Sequence, residues 1–385
     1  MKRKVYLDHN ATTPVDRAVV QAMLPYLHEK FGNPSSLHLY GREVRAGVEE
    51  AREKVAQALG ADPKEIVFTS GGTEADFLAL RGAAYANRKR GRHIITSAVE
   101  HHAVLDTCEM LAEEGFEVTV VPVDRHGMVD PGRVAGEIRP DTILISVMHA
   151  NNEVGTIQPV REIGLLARER DIVFHTDAVQ SFGKIPVDVR ELNADLLSIS
   201  AHKIYGPKGA GALWIRRGCR WSPINRGGGQ ERRRRPGTEN VPGIIGLGEA
   251  CRLAVSNLDD EARTLKTLRD RMVSYVKENF KGVWINGHPG KRLPNSAHFS
   301  FEGIEGEALL LDLDLNGIAV SSGSACSSES SVSSHVLLAM GIPDEVARCS
   351  IRVSLGKENT KEDIDYFLEV LTNTVNRLRA LSPIK

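Results

Sequence analysis

Cysteine is scarce in this chain, and the few it has do not pair. Five occur, Cys108, Cys219, Cys251, Cys326 and Cys349. Their number is odd and no CxxC pair is present, so neither a disulfide framework nor a zinc site is indicated. A reducing compartment follows as the expectation, and the cytoplasm is the reading it favours. Long apolar runs are missing too: no stretch approaches the length of a membrane span. The basic residues near Met1 are followed by no apolar run, so no signal peptide is expected. Neither sign of charge is in excess. The net charge of −1 gives no global field that would favour nucleic acid or a membrane surface. No internal repeat is evident, and the only low-complexity tract is a run of serines around Cys326.

What remains is the balance of an ordinary protein with ample core, 41% apolar and 26% charged. At 385 residues the chain suggests one large domain plus a smaller one, or two of similar size. From about residue 41 helix and strand patterns alternate. The spacing predicts helices over 41–59, from near Thr73, over 102–114 and over 160–170. Strands are predicted at 65–70, 93–96, 117–123, 142–148, 172–175, 196–199 and 211–215. Such alternation implies an α/β fold with a mostly parallel sheet flanked by helices. After Pro242-Gly243 the pattern changes. A long helical region is expected over 244–280, then strands at 296–301 and 351–354, with helices at 307–315, 334–340 and 361–378. This is a smaller α+β domain. The predicted division is a large domain of residues 16–257, and a small domain of residues 1–15 and 258–385 that carries a serine-rich segment at about 321–334.

That segment, Ser321-Ser322-Gly323-Ser324-Ala325-Cys326-Ser327-Ser328-Glu329-Ser330-Ser331, offers Cys326 little to pack against. A thiol so placed is a reagent rather than a core filler. Asp177 and Lys203 each follow a strand-like run. In a parallel sheet both lie at carboxyl ends of strands, where α/β proteins bind ligands. A pyridoxal phosphate enzyme needs such a lysine to tether the cofactor, and a carboxylate to keep its pyridine nitrogen protonated. The pair alone is equally a strand-end acid and a surface lysine. Partners are present, however. Ser70-Gly71-Gly72-Thr73-Glu74 sits between a strand and a helix, where glycines admit a ligand and free N–H groups favour phosphate. A plain helix cap by Thr73 would look similar. Ser200 and His202 could add phosphate donors. His101 or His102 could stack on a flat ring. Asn151, Asn152 or Gln180 could bind its phenolic oxygen, although asparagines also build turns. Arg352 suits a carboxylate through its planar fork, or makes a rim salt bridge.

The chain resembles the class I cysteine desulfurases, enzymes of the aminotransferase class V family. The matching motifs are Tyr6-Leu7-Asp8-His9-Asn10-Ala11-Thr12-Thr13-Pro14, Gly32-Asn33-Pro34-Ser35-Ser36, Thr69 to Glu74, Glu100-His101 and Asn151 to Gly155. They continue with Asp177-Ala178-Val179-Gln180, Ser200-Ala201-His202-Lys203, Gly227 to Arg232, Ser322 to Cys326 and Ile351 to Gly356. They span nearly the whole chain in the family's order. The resemblance implies a fold-type I transferase that uses pyridoxal 5′-phosphate and L-cysteine. Lys203 would tether the cofactor and move a proton, Asp177 would pair with the pyridine nitrogen, and His101 would stack and act as acid or base. Gly72, Thr73, Ser200 and His202 would hold the phosphate, Asn152 and Gln180 would touch ring substituents, and Arg352, with Asn152, would bind substrate. Cys326 would take the sulfur as a persulfide. No metal is implied in the resting enzyme, with Cys326 left open as an iron–sulfur ligand. Thr238 would reach the phosphate of the other subunit in a homodimer, and the sulfur would pass to an iron–sulfur scaffold or another acceptor protein. Phe77 and Cys349 depart from the commonest family pattern. The rival readings are a selenocysteine lyase or other β-lyase, a binding protein that has kept only the fold, and nucleic-acid binding through Arg232 to Arg235.

Overall fold

The computed structural model describes residues 3–322 and 333–381. Its strands are β1 (Val5–Tyr6), β2 (Ile66–Thr69), β3 (His93–Ser97), β4 (Glu117–Val121), β5 (Thr142–Ser146), β6 (Val173–Asp177), β7 (Leu196–Ser200), β8 (Gly211–Ile215), β9 (Val283–Asn286), β10 (Ser296–Phe301), β11 (Ile318–Ala319), β12 (Ser321–Ser322) and β13 (Ser350–Ser354). The largest sheet has the order β2-β8-β7-β6-β5-β3-β4. β8 alone runs against the rest, antiparallel to both β2 and β7. The reason is the link from β7. Residues 201–210 are too few for a helical crossover, and a parallel return needs a dozen residues or more.

Adjacent residues on the central strands point to opposite faces and feed separate cores. Ile95, Ile145, Phe174 and Leu197 pack with the helices Leu39–Leu59, Val160–Glu169 and Val241–Ser256. Ile94, Leu144, Val173 and Leu196 pack with Gly72–Asn87 and His102–Glu113. Both faces are therefore covered, which explains why these strands read as continuous apolar runs.

A second sheet, β12-β13-β10-β9, is antiparallel. Phe299, Phe301, Ile351 and Val353 pack there with the helices Leu258–Asn279, Gly306–Leu315 and Lys361–Leu381. Val5 and Leu7 join this core, and β1 pairs in parallel with β11. The long helical region expected over 244–280 is in fact two helices that meet at Asn257. Their apolar stripes face different cores, Ile244 and Leu247 toward the large sheet and Leu265, Met272 and Val276 toward the small one. One straight rod would not serve both. Among the described residues no helix is long and apolar enough to cross a membrane.

Candidate active site

Because β2, β3, β5, β6 and β7 share one direction, the segments that follow them emerge at one edge of the sheet. There the structure brings Gly72, Thr73, His101, Asn152, Asp177, Gln180, Ser200, His202 and Lys203 to a single cleft, with Arg352 of β13 and Asn10 also on its wall. The cleft has a volume of about 270 Å³, close to the lower end of small-molecule sites. Thr238 is exposed and does not line it. Cys326 lies outside the described residues.

The Lys203 ammonium donates to the backbone oxygens of Asn10, at 2.6 Å, and Ala11, at 2.8 Å. Asp177 is buried, and its Oδ1 accepts from the Val179 N–H at 2.8 Å. Burial, then the neighbouring Asp76, pushes its carboxyl up to about 7. Asp76, also raised to about 7 by burial, lies 3.4 Å from His175 Nε2. Desolvation holds that histidine neutral, at about 4. Two buried carboxyls thus share a region that tolerates little net negative charge, and a cationic nitrogen in the cleft would compensate it.

At the phosphate end, the helix Gly72–Asn87 begins at Gly71 with no side chain capping it. Its first N–H groups are left for a ligand, which removes the plain-cap alternative for Thr73. Gly211 allows the approach: a Cβ there would sit 2.7 Å from Gly71 backbone atoms. The buried Ser200 hydroxyl has no hydrogen-bond partner among the described residues. These donors fit a phosphate group.

His101 caps the helix His102–Glu113, its Nδ1 accepting from the Ala103 N–H at 3.1 Å. Burial first, and then Lys203, lower its imidazole to about 4, so the ring is neutral. The two asparagines divide the roles left open by sequence. Asn151 Oδ1 accepts from the Glu153 and Val154 N–H groups, which builds the turn, while Asn152 lines the cleft. Arg352, 2% exposed, donates through Nη1 to the Asn152 carbonyl at 3.2 Å.

Sequence reasoning assigned no role to Asn10 or Asp76. Asn10 sits in a motif that the resemblance rests on, and Asp76 stands one turn into the helix after Gly71-Gly72. Both signals were present, but neither residue follows a strand end.

The arginine run is held from below. Glu231 is buried and accepts from Arg52 through both oxygens at 2.8 Å, and from the Phe68 N–H at 2.9 Å. Arg235 pairs with Glu74 at 2.9 Å and Arg232 with Glu49 at 3.3 Å. Burial raises the thiols of Cys108 and Cys219 to about 12, and those of Cys251 and Cys349 also rise. Cys349 Sγ donates to the Glu345 carbonyl.

Comparison with known proteins decides the family. The aminotransferase class-V model matches residues 5–367. The chain belongs to the class-V aminotransferase family. It is 56% identical over 385 residues to cysteine desulfurase IscS of Dictyoglomus turgidum, covering 100% of this chain and 98% of that one. To cysteine desulfurase IscS of Methanosarcina thermophila it is 55% identical over 382 residues, covering 99% and 94%. Among solved structures it is similar to a NifS-like protein, with TM-score 0.92, 42% identity, and 97% and 100% coverage. A second, SspA in complex with cysteine, gives TM-score 0.82 and 38% identity, covering 93% of this chain and 100% of that one. The cofactor of this class-V chain is pyridoxal 5′-phosphate. The uncapped helix start, the orphaned Ser200 hydroxyl, the lysine and the buried acid form a donor set that fits it.

Proposed function

We propose that the chain is a cysteine desulfurase. It removes sulfur from L-cysteine, releases L-alanine and carries the sulfur on Cys326 as a persulfide. The observation that carries this reading is the shared cleft: a lysine, a buried acid and an uncapped helix start on one wall, and a buried arginine from the other sheet facing them. Relatives 48–56% identical over nearly the whole chain carry the desulfurase name, and SspA is described in complex with cysteine.

Arg352 receives the substrate carboxylate in the geometry that suits a guanidinium fork. When bound, the cofactor supplies an electron sink for charge that develops at the substrate's α-carbon. Asp177 holds a proton at the ring nitrogen. Thr73, Ser200, His202 and the first N–H groups of the helix hold the phosphate. Gln180 and Asn152 would hold the ring through its substituents, and neutral His101 would pack beside it. The Lys203 amine takes the α-proton and returns it. Cys326 as thiolate attacks the substrate Sγ. A sulfur–sulfur bond forms as the carbon–sulfur bond breaks, the substrate carbon gains a proton to become the methyl group of alanine, and the Cys326 sulfur is oxidised to the persulfide.

On this reading residues 16–257 hold the cofactor, and residues 1–15 with 258–385 supply Arg352 and Cys326. Thr238, exposed beside the anchored arginine run, serves the phosphate of a second copy in a homodimer. The chain works in the cytoplasm and hands sulfur to an iron–sulfur scaffold or another acceptor protein. Mass spectrometry after incubation with L-cysteine tests the central claim. One extra sulfur on the Cys326 peptide, with alanine released, supports it. Alanine formed at the normal rate by Cys326→Ala overturns the nucleophile assignment, and a chain that takes up no pyridoxal phosphate overturns the whole reading.

A further inference from the structure

Beside the cleft, on the far side of Lys203, lies a second cavity lined by His9, Lys184, Lys203, Glu261 and Asn295, among others. Lys184 is the unexpected member. It is only 8% exposed, and among the described residues no carboxylate pairs with it. Its Nζ donates to Gln180 Oε1 at 2.8 Å and, at 3.5 Å, to Asn10 Oδ1. Burying an ammonium without a carboxylate opposes folding. Such an arrangement in a cavity that shares Lys203 with the cleft points to a function.

We propose that Lys184 is a positioning residue, which fixes the Gln180 amide with its NH₂ toward the cofactor and sets a second positive charge behind Lys203. The inference rests on the desulfurase reading and names a further part of the same site. An ammonium only donates. While Lys184 holds its proton, up to about pH 7, Gln180 must therefore turn its oxygen toward it, and its Nε2 then faces the other way. One N–H of that Nε2 goes to the Asn10 carbonyl at 2.9 Å, the same oxygen that receives Lys203 at 2.6 Å. The other N–H is left for an oxygen of the ring. Asn10 is held in turn: its Oδ1 accepts from Asn295 at 3.1 Å and its Nδ2 donates to the Asn152 carbonyl at 3.2 Å. Lys184, Gln180, Asn10 and Lys203 thus form one hydrogen-bonded unit with a single consistent orientation.

The charge acts beside this geometry. The groups that face Lys184 are His9 from the N-terminal segment, His202 and Lys203 after β7, Arg352 on β13 and Glu261 on the helix Leu258–Asn279. Desolvation first, and then Lys203 and Arg352, lower its ammonium to about 7. A neighbouring cation favours the neutral amine of a catalytic lysine.

The test is a pH titration of the visible band of the pyridoxal phosphate-loaded enzyme, with steady-state kinetics, for Lys184→Met, Gln180→Ala and the double variant. Lys184→Met is expected to move the band's midpoint up by about one unit and to lower kcat on the order of tenfold, with a smaller change in KM. In the Gln180→Ala background the loss of kcat from Lys184→Met is expected to shrink, because both act through one amide. Lys184→Gln, which keeps a donor but no charge, is expected to regain part of kcat and keep the shifted midpoint. It also serves if the methionine variant fails to fold. A wild-type midpoint in both Lys184 variants, or a kcat loss that simply adds to that of Gln180→Ala, overturns the proposal. A wild-type chain without a visible band overturns the desulfurase reading itself.

Discussion

The Asp8 carboxylate lies 2.8 Å from the Arg352 guanidinium and holds it in the cleft. Asp8 is on the segment that crosses between the two cores, and Arg352 is at the centre of β13. Two nitrogens of the guanidinium are engaged, by Asp8 and by the Asn152 carbonyl, while its buried Nε has no partner among the described residues. On the proposed reading, a substrate carboxylate would thus meet an arginine already aimed. Lysine has no fork and cannot satisfy these partners together. Arg352→Lys is expected to raise KM for L-cysteine about tenfold or more, with a smaller fall in kcat. Steady-state kinetics check it, and an unchanged KM would remove Arg352 from substrate binding.

On the proposed reading, Asp177, buried in the cleft, is the acid on which the ring's electron demand would depend. Asp177→Asn keeps size and hydrogen bonding but loses the charge. It is expected to retain the cofactor's visible band and to lose kcat by a factor on the order of 10² or more. Stopped-flow turnover on the loaded variant measures this.

The four thiols other than Cys326 are all shifted toward the unreactive protonated form. Brief alkylation of the native protein at pH 7.5, well below the value of about 12 to which burial pushes Cys108 and Cys219, is therefore expected to label the Cys326 peptide first. Peptide mapping reads the order of modification. Faster labelling of Cys349 would make that residue the accessible thiol.

Glu231, Arg232 and Arg233 stand in succession at φ of 45°, 56° and 64°, a left-handed run that disfavours each residue by about 1–2 kcal/mol. The Arg52–Glu231 pair, 4% exposed on each side, holds it. Glu231→Ala leaves a buried guanidinium unpaired and is expected to destabilise the fold by about 3–5 kcal/mol. Arg52→Met with Glu231→Met is expected to recover most of that. Denaturant titration of the three chains distinguishes these outcomes.

Lys184 gives stability a dependence on pH whose sign is fixed. Its ammonium falls from the ordinary 10.5 to about 7 in the folded chain. Above 10.5 it is neutral in both states. Between 10.5 and 7 the unfolded chain binds the proton and the folded one does not, so stability falls as pH falls. Below 7 the penalty is constant. The melting temperature of Lys184→Met relative to wild type is expected to climb as pH drops from about 10 to 7 and to level off below. A difference that is flat across this window would show that Lys184 titrates normally.

The parallel core was legible because its strands are apolar on both faces and separated by regular helices. Lys203 and Asp177 were legible as strand-end residues. The reversal of β8 was not, since nothing within Gly211 to Ile215 differs from a parallel strand; the short link before it decides. β9 escaped notice because Val283 to Asn286 is only four residues long between two glycines. Asn10 and Lys184 gave no periodic signal. Their roles come from a chain crossing that brings residues over 170 positions apart into contact. Arg352 could not be told from a rim ion pair until its burial was known.

Ser321 and Ser322 are laddered to Arg352 and Ile351 of β13. At the far side of the segment, Ser334 is bonded to Glu153, next to Asn152. Both flanks of the stretch bearing Cys326 are thus moored to the wall that carries Arg352 and Asn152. Cys326 stands four positions past Ser322, and a fully drawn-out chain gains no more than about 3.6 Å per residue, or roughly 14 Å in all. On the proposed desulfurase reading, that leash would bound how far sulfur held on Cys326 could travel, so an acceptor would have to come to the doorstep of the cleft.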